Sequence, residues 1–203
     1  TPGSNTRTNA ISSAAWTRKR TSLCGDTMIF HKTRKQPKTA IETFAGKTLS
    51  PEDYDEVTID TEDFASVLVR LGDRCRGAYT VSQMSAGNKN RFEFEIYGTE
   101  AGVRWNQERP DELWIGHRNK PNQIIIKDPS LLAGPAQGFA DLPGGHSEGY
   151  DDSHKQLFRR FYKRVMDPSL PIDYPTFEDG LRGMKLITKV LESAAARTWV
   201  DCA

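Results

Sequence analysis

Several features that mark specialised classes of protein are missing from this chain of 203 residues. No apolar run approaches the roughly 18 residues of a bilayer-spanning helix, and the N-terminus has no hydrophobic signal core, so we expect a soluble protein. Cysteine is scarce, and Cys24, Cys75 and Cys202 lie too far apart for a disulfide framework or a paired-cysteine metal site. Free thiols fit a reducing compartment, and we expect a cytoplasmic location.

The chain also lacks an excess of charge of one sign and the glycine-rich loops of nucleotide sites. Its 28 basic and 27 acidic residues give a net charge of +1, which provides no overall attraction for nucleic acid or for an anionic membrane. Neither the GxGxxG nor the GxxxxGKS/T pattern occurs in the sequence. We therefore expect the chain to bind no cofactor and no metal by itself.

The first 50 residues differ from the rest of the chain in hydrophobic pattern and in charge. Thr1 to Ala15 are small and polar and show no sustained hydrophobic period, so we expect poor order there. From Arg7 to Lys38 the sequence has eight basic residues and a single acid, Asp26. A basic arm that binds nucleic acid is one interpretation, and a solvated arm or loop is the more ordinary one. We place a boundary after residue 50. Residues 1–50 would be a poorly ordered basic arm or the remnant of a preceding segment, and we expect residues 51–203 to form one sheet domain.

From Glu56 onward the chain shows the two-residue alternation of half-buried strands. The pattern, which starts at Val57 and Ile59, predicts six short strands that end near residues 71, 85, 97, 105, 117 and 127. Turn residues separate them, and the Gly-Asn-Lys-Asn run at 87–90 is typical of a hairpin turn. Short strands joined by tight turns predict an antiparallel meander rather than βαβ units.

Two helices are predicted after the strands. Residues 151–166 carry apolar side chains at helical spacing, and prolines end this segment. Thr176 followed by acids predicts an N-cap for a helix that extends to about residue 196. We expect its buried face to consist of Phe177, Leu181, Met184, Ile187, Leu191 and Ala194. The fold class that follows is α+β, an open and mostly antiparallel sheet with helices packed on one face.

Residues 128–150 are rich in glycine and proline, and a long ordered loop of this kind is often functional. His146 lies between glycines just before the first helix, where it could transfer protons, contact a substrate or simply hold the loop by hydrogen bonds. His154 is expected to have a structural role. Trp105 is expected in the core, although an exposed aromatic face that binds sugar or a partner sheet is the alternative; its members would be Trp105, Trp114, Tyr97 and Tyr79.

Three stretches resemble the C-terminal domain of the Gfo/Idh/MocA oxidoreductases, named after glucose–fructose oxidoreductase and inositol dehydrogenase. They are FEFEIYGTEAGV at 92–103, the loop and helix at 144–162, and TFEDGLRGMKLITKVLESAAARTWV at 176–200, and the likeness covers about residues 55–203. The resemblance implies a preceding Rossmann domain and a sheet that helps to form the substrate pocket and a homo-oligomer interface. The complete enzyme would then be a dehydrogenase that transfers hydride between NAD or NADP and a sugar or cyclitol.

The chain departs from the family at its start. Such enzymes place a His-x-x-Asp pair near the beginning of this domain, whereas the best matching place here reads Ala15-Trp16-Thr17-Arg18. No catalytic residue is therefore assigned, and we expect the chain alone to be inactive. The residues expected to face the substrate in a complete enzyme are Gly144, Gly145, His146, Tyr150 and Asp151.

Two other functions remain open at this point. The chain could be a free-standing binding or assembly module without catalysis. It could also be a nucleic-acid binder with a basic arm, although we consider nucleic acid an improbable partner. No membrane partner is expected.

Overall fold

The computed structural model describes residues 21–40 and 49–202, which fall into two compact units. The first unit runs to Ala86 and resumes at Phe177, and the second is residues 87–176. The helices are α1 (Gly134–Gln137), α2 (Tyr150–Met166) and α3 (Phe177–Ala196). The strands are β1 (Thr21–Met28), β2 (Thr33–Pro37), β3 (Tyr54–Thr58), β4 (Phe64–Leu71), β5 (Cys75–Ser82), β6 (Glu93–Tyr97), β7 (Ala101–Asn106), β8 (Glu112–His117), β9 (Gln123–Ile126) and β10 (Val200–Asp201).

A four-stranded antiparallel sheet in the order β10-β1-β4-β5 forms the centre of the first unit. β1 is an inner strand and pairs along its whole length with β4. Because side chains alternate between the two faces of a strand, Leu23 and Val67 lie on the same face, where both are fully buried. Val190 of α3 completes this core, which partly buried side chains surround: Val69, Leu186, Val200 and Cys202.

α3 packs directly on β1, and Gly25 makes the close approach possible. A Cβ atom at Gly25 would lie 2.9 Å from the carbonyl oxygen of Val190 and 3.0 Å from its Cγ1 atom, closer than ordinary contact allows. The Gly25 amide donates a hydrogen bond of 2.9 Å to the Oγ atom of the fully buried Ser193. Val190 and Ser193 therefore form the face of α3 that covers the sheet.

This packing corrects the predicted buried face of α3. The first five residues of the predicted set, Phe177, Leu181, Met184, Ile187 and Leu191, are exposed large apolar side chains. The buried residues of the helix are Val190 and Ser193. Adjacent residues of a helix lie about 100° apart around its axis, so the packed stripe is displaced from the predicted one by about one residue. The glycine on β1 and the serine that satisfies its amide decide which stripe packs.

β2 and β3 form a two-stranded antiparallel ribbon in the first unit. One basic residue of β2 faces an acidic residue of β3, since Lys35 pairs with Glu56. The link from β1 to β2 is held by the buried Asp63, whose carboxylate accepts hydrogen bonds of 2.9 and 3.0 Å from the amides of Phe30 and His31. These two hydrogen bonds lower the pKa of Asp63.

The sheet of the second unit is an antiparallel meander in the order β6-β7-β8-β9. Its register places Glu95, Arg104, Trp114 and Ile124 in one row across the four strands. The neighbouring row, on the opposite face, consists of Phe94, Trp105, Leu113 and Ile125. One face of the sheet is thus mixed in polarity and the other is largely apolar.

The predicted fold class and the spans of the two long helices are confirmed. The structure is α+β with antiparallel sheets, and α2 and α3 agree with their predicted limits to within one residue. The predicted hairpin at 87–90 is wrong, because β5 and β6 belong to different sheets and different units. Within the expected arm of residues 1–50, residues 21–28 and 33–37 form β1 and β2. Residues 1–20 and 41–48 lie outside the described part of the chain. Within that described part, no helix has the length and hydropathy that a membrane crossing requires.

Candidate functional site

A cavity of about 480 Å³ lies within the second unit, where β-sheet residues, the segment 128–149 and α2 come together. This volume is within the range of about 300–1,000 Å³ that is usual for small-molecule sites. Its aromatic wall includes Trp105, Phe139, Tyr150 and Tyr174. The charged lining residues are Asp111, Lys127, Glu148, Asp152, Arg160 and Asp173.

The charges in this wall are paired with opposite charges. Lys127 Nζ lies 3.6 Å from Asp111 Oδ1 and forms a closer ion pair with Glu148. Arg160 Nη1 lies 3.2 Å from Asp173 Oδ2. Asp152 pairs at 2.7 Å with a residue of the next turn, Lys155. Because each of these carboxylates already has a cationic partner, the cavity is better suited to a neutral ligand than to a charged one.

Glu148 is the most buried carboxylate of the cavity wall, with a side chain that is 6% exposed. Burial raises the pKa of this group, but hydrogen bonds from Lys127 and from the amides of Asp141 and Leu142 outweigh it. The pKa of Glu148 therefore lies below its usual value, and the group is a carboxylate at neutral pH.

The segment before α2 is attached to the helix through Asp141. Its carboxylate accepts hydrogen bonds of 2.7 Å from Arg159 and 3.2 Å from the buried Gln156, and it lies 3.1 Å from Lys155. Arg159 and Lys155 hold the pKa of Asp141 well below its usual range. At the start of the helix, Asp152 accepts a 3.0 Å hydrogen bond from the Gly149 amide, the usual role of an acid in a first turn.

Trp105 was expected in the core, and the structure places it half-buried in the cavity wall. Its indole nitrogen donates a 2.9 Å hydrogen bond to the carbonyl oxygen of Pro110, and its ring lies 5.8 Å from that of Phe94. The ring of Tyr150, another lining residue, packs against His154, with centroids 4.5 Å apart. The hydrogen bond fixes an indole ring that forms part of the cavity lining.

Of the five residues that we expected to face a substrate, Tyr150 lines the cavity. Gly144, Gly145, His146 and Asp151 are exposed and are not part of its lining. His146 belongs to the anchored loop, since its carbonyl oxygen accepts a 3.0 Å hydrogen bond from Lys127 Nζ.

Sequence reasoning missed other residues of the lining, among them Lys127, Glu148 and Asp152. Lys127 stands alone at the end of a strand and Glu148 lies in a glycine-rich loop, and nothing in a single sequence indicates that the two side chains form an ion pair. Glu148 and Asp152 do precede the apolar stripe of a predicted helix. Acids at the start of a helix are the one sequence feature that could have pointed to these two residues.

The residues at 145–149, Gly-His-Ser-Glu-Gly, match the letters of the GxSxG nucleophile elbow. That motif requires a sharp turn from a strand directly into a helix. Here the last strand before it, β9, ends at Ile126, and the short helix α1 intervenes. The serine is therefore not placed as the nucleophile of a hydrolase.

Other site chemistries receive no support from the described residues. Among residues 21–40 and 49–202, no group of three histidine, cysteine or acidic side chains is arranged to hold a metal ion. The basic residues of β2 lie beside acids, with Lys35 opposite Glu56 and Arg34 4.0 Å from Asp63. This neutralisation weakens the case for a nucleic-acid surface on the part of the basic segment that the structure describes.

Residues 22–202 match the family model described as the oxidoreductase family, C-terminal alpha/beta domain. Levoglucosan dehydrogenase of Pseudarthrobacter phenanthrenivorans is 26% identical over 148 residues, which are 70% of this chain and 37% of that enzyme. The chain thus spans well under half the length of this relative.

Solved structures with the same fold include levoglucosan dehydrogenase in complex with NADH and levoglucosan, with a TM-score of 0.71 and 20% identity. The match covers 90% of this chain and 45% of that one. An inositol dehydrogenase homolog from Azotobacter vinelandii, in complex with NADH and myo-inositol, gives a TM-score of 0.66 at 20% identity and covers 90% and 44%.

Proposed function

The chain belongs to the Gfo/Idh/MocA oxidoreductase family, whose C-terminal alpha/beta domain it matches over residues 22–202, and on that premise we propose that it is the substrate-binding half of an NAD(P)-dependent enzyme. The proposed reaction of the complete enzyme is hydride transfer between the nicotinamide and a hydroxyl-bearing carbon of a sugar or cyclitol. The relatives support this class, since they include dehydrogenases seen with NADH and with levoglucosan or myo-inositol. The nucleotide would be bound outside this chain, which has no GxGxxG loop.

The cavity of the second unit is the observation that carries the substrate proposal. A sugar or cyclitol ring is neutral, has apolar C–H faces and a rim of hydroxyl groups. Trp105 and Tyr150 offer aromatic surfaces to such faces, and the paired side chains around Glu148 and Asp152 offer acceptors and donors to the rim. The internal pairing of the charges favours this neutral ligand over an anionic one.

Exposed apolar side chains support the view that the chain works as part of a larger assembly. Among the described residues, Leu23, Val67 and Val190 are the buried apolar side chains. The apolar stripes of α2 and α3 are largely exposed, and Phe177 is 97% exposed. Apolar surface of this extent is typical of interaction sites, because a stable domain normally buries such stripes.

The mixed face of the sheet in the second unit is the proposed surface of self-association. Arg104 lies over the Trp114 ring at 4.8 Å, and Ile124 beside them is 59% exposed. Gly102 and Gly116 let the rings of Tyr97 and Trp114 lie close to the sheet, because a Cβ atom at either glycine would overlap the ring. A face of aromatic, aliphatic and charged side chains is suited to a two-fold contact with a second copy.

The deciding experiment is to sequence the source DNA upstream of the Thr1 codon and to produce the protein of the complete reading frame. We expect a strand, a GxGxxG turn and a helix upstream, and reduction of NAD⁺ or NADP⁺ by the complete protein with myo-inositol, levoglucosan or a related polyol. The 203-residue chain alone serves as the control and should reduce neither cofactor. A reading frame without a nucleotide-binding unit would instead favour the free-standing assembly module.

A further inference from the structure

Lys127 occupies a special position, because it stands at the point where the chain leaves β9 and enters the long segment 128–149. Its ammonium group donates a 3.0 Å hydrogen bond to the carbonyl oxygen of His146 and forms ion pairs with Asp111 and Glu148. The side chains of Lys127, Glu148 and Asp111 are 14%, 6% and 20% exposed. Water therefore screens this three-charge cluster only weakly.

Glu148 ties the far part of the loop to the same cluster. Its carboxylate accepts a 2.8 Å hydrogen bond from the Asp141 amide and another from the Leu142 amide. Its own amide donates at 3.3 Å to Asp111 Oδ1. The Glu148 carboxylate thus bonds both ends of the segment 141–148 together, and the ion pair with Lys127 connects this carboxylate to the sheet.

We propose that Lys127 is a positioning residue, which holds the segment 141–150 against the sheet and so fixes Tyr150 in the wall of the cavity. This inference rests on the proposed function for its ligand, although the position of the loop can be measured independently. Tyr150 is the last residue of this segment and lines the cavity, so a displaced segment changes the shape of the cavity.

Removing the cation has a specific electrostatic consequence. Without Lys127, the Asp111 and Glu148 carboxylates would share a poorly hydrated site with no positive charge between them, which is strongly unfavourable. Glu148 would leave the cluster and release the Asp141 and Leu142 amides. Making residue 148 neutral removes the repulsion, since a glutamine can still accept from Asp141 and can donate to Asp111.

The test uses the full 203-residue chain and three variants at the cluster: Lys127→Met, Lys127→Arg, and the double variant Lys127→Met with Glu148→Gln. Hydrogen exchange of residues 141–148 reports the position of the loop. Titration with myo-inositol and with levoglucosan, followed by the indole N–H signal of Trp105 in NMR, reports the cavity. Arg109→Met is the matched control, since it removes an exposed ion pair of the same unit, that with Glu112.

In Lys127→Met we expect amide exchange at 141–148 to become at least about tenfold faster, and polyol affinity to fall by a similar factor. Lys127→Arg and the double variant should recover most of both losses, and Arg109→Met should change neither. A residue with a merely structural role would not be rescued by a second substitution that removes the opposite charge.

Unchanged exchange at 141–148 in Lys127→Met would overturn the inference, and so would a double variant as impaired as the single one. A wild-type chain that binds neither polyol, while exchange follows the expected pattern, would count against the proposed substrate class and would leave the positioning role supported. The two proposals can therefore fail separately.

Discussion

The contact between Gly25 and α3 can be tested by adding a single methyl group. In Gly25→Ala the new Cβ atom would lie 2.9 Å from the carbonyl oxygen of Val190 and 3.0 Å from its Cγ1 atom. The first neighbour is helix backbone, which cannot turn aside, so α3 must move away from β1 or the strand must bend. The same movement would lengthen the 2.9 Å hydrogen bond from the Gly25 amide to Ser193 Oγ.

Overpacking of this kind lowers the free energy of unfolding by about 1–3 kcal/mol. Because the core that it disturbs is small, this loss of stability should be measurable. A loss of that size speeds amide exchange through unfolding of the first unit by roughly 5- to 150-fold. The measurement is hydrogen exchange of residues 21–28 and 64–71, together with the urea midpoint of the whole chain.

Gly77→Ala is the matched control, because it lies on β5 of the same sheet and its added Cβ atom would meet nothing within 4 Å. It should stay within about 0.5 kcal/mol of the wild type. Equal stability of Gly25→Ala and the wild type, or an equal loss in both variants, would refute the argument that Gly25 sets the approach of α3.

Three further predictions follow from single groups. Ser193→Ala leaves the buried Gly25 amide without its acceptor and should cost about 1–3 kcal/mol in urea unfolding, whereas an unchanged midpoint would mean that water replaces the hydroxyl. Because the pKa of Asp63 is lowered in the folded state, its charged form stabilises the fold above about pH 4, and this stabilisation is lost as pH falls through the folded-state pKa. In Asp63→Asn the free energy of unfolding should therefore depend less on pH in the acid range. On the proposed self-association through the mixed face, Ile124→Lys should reduce the mass measured by light scattering to that of one chain, while Ile125→Lys, on the opposite face, should not; equal effects of the two variants would exclude this face as the contact.

The positions of β4 to β9, α2 and α3 could be predicted from the local hydrophobic pattern, whereas β1, β2, β10 and α1 were not predicted. The choice of partners could not be predicted, because pairing depends on residues far apart in the sequence. β1 illustrates this limit: its central place comes from pairing with β4 and β10. Its buried positions are Leu23 and Gly25, and a glycine contributes nothing to a hydrophobic period.

The helix α3 shows the same limit within one element. Its apolar stripe is wide enough to include two neighbouring faces of the helix. Hydrophobic periodicity alone cannot decide which of the two faces is buried. The choice comes from Gly25 and Ser193, which lie 168 positions apart and form one buried hydrogen bond. The same limit applies to the candidate site. Tyr150 lies at the start of a helix that the local pattern predicts. Lys127, by contrast, is held in the cavity wall by ion pairs with residues 16 and 21 positions away in the sequence.

The ionisation of the cavity wall indicates which part of the chemistry this chain supplies. A general base works best when its pKa lies near the operating pH, so that it is free to take up a proton and able to hold it. The pKa values of Glu148 and Asp152 are instead lowered, for Glu148 because its hydrogen bonds outweigh burial and for Asp152 first through Lys155 and then through the Gly149 amide. Carboxylates held in this way are weak bases and firm hydrogen-bond acceptors. The lowered pKa values and the missing His-x-x-Asp pair fit the proposed function, in which the chain orients a polyol and groups elsewhere in the complete enzyme transfer the proton.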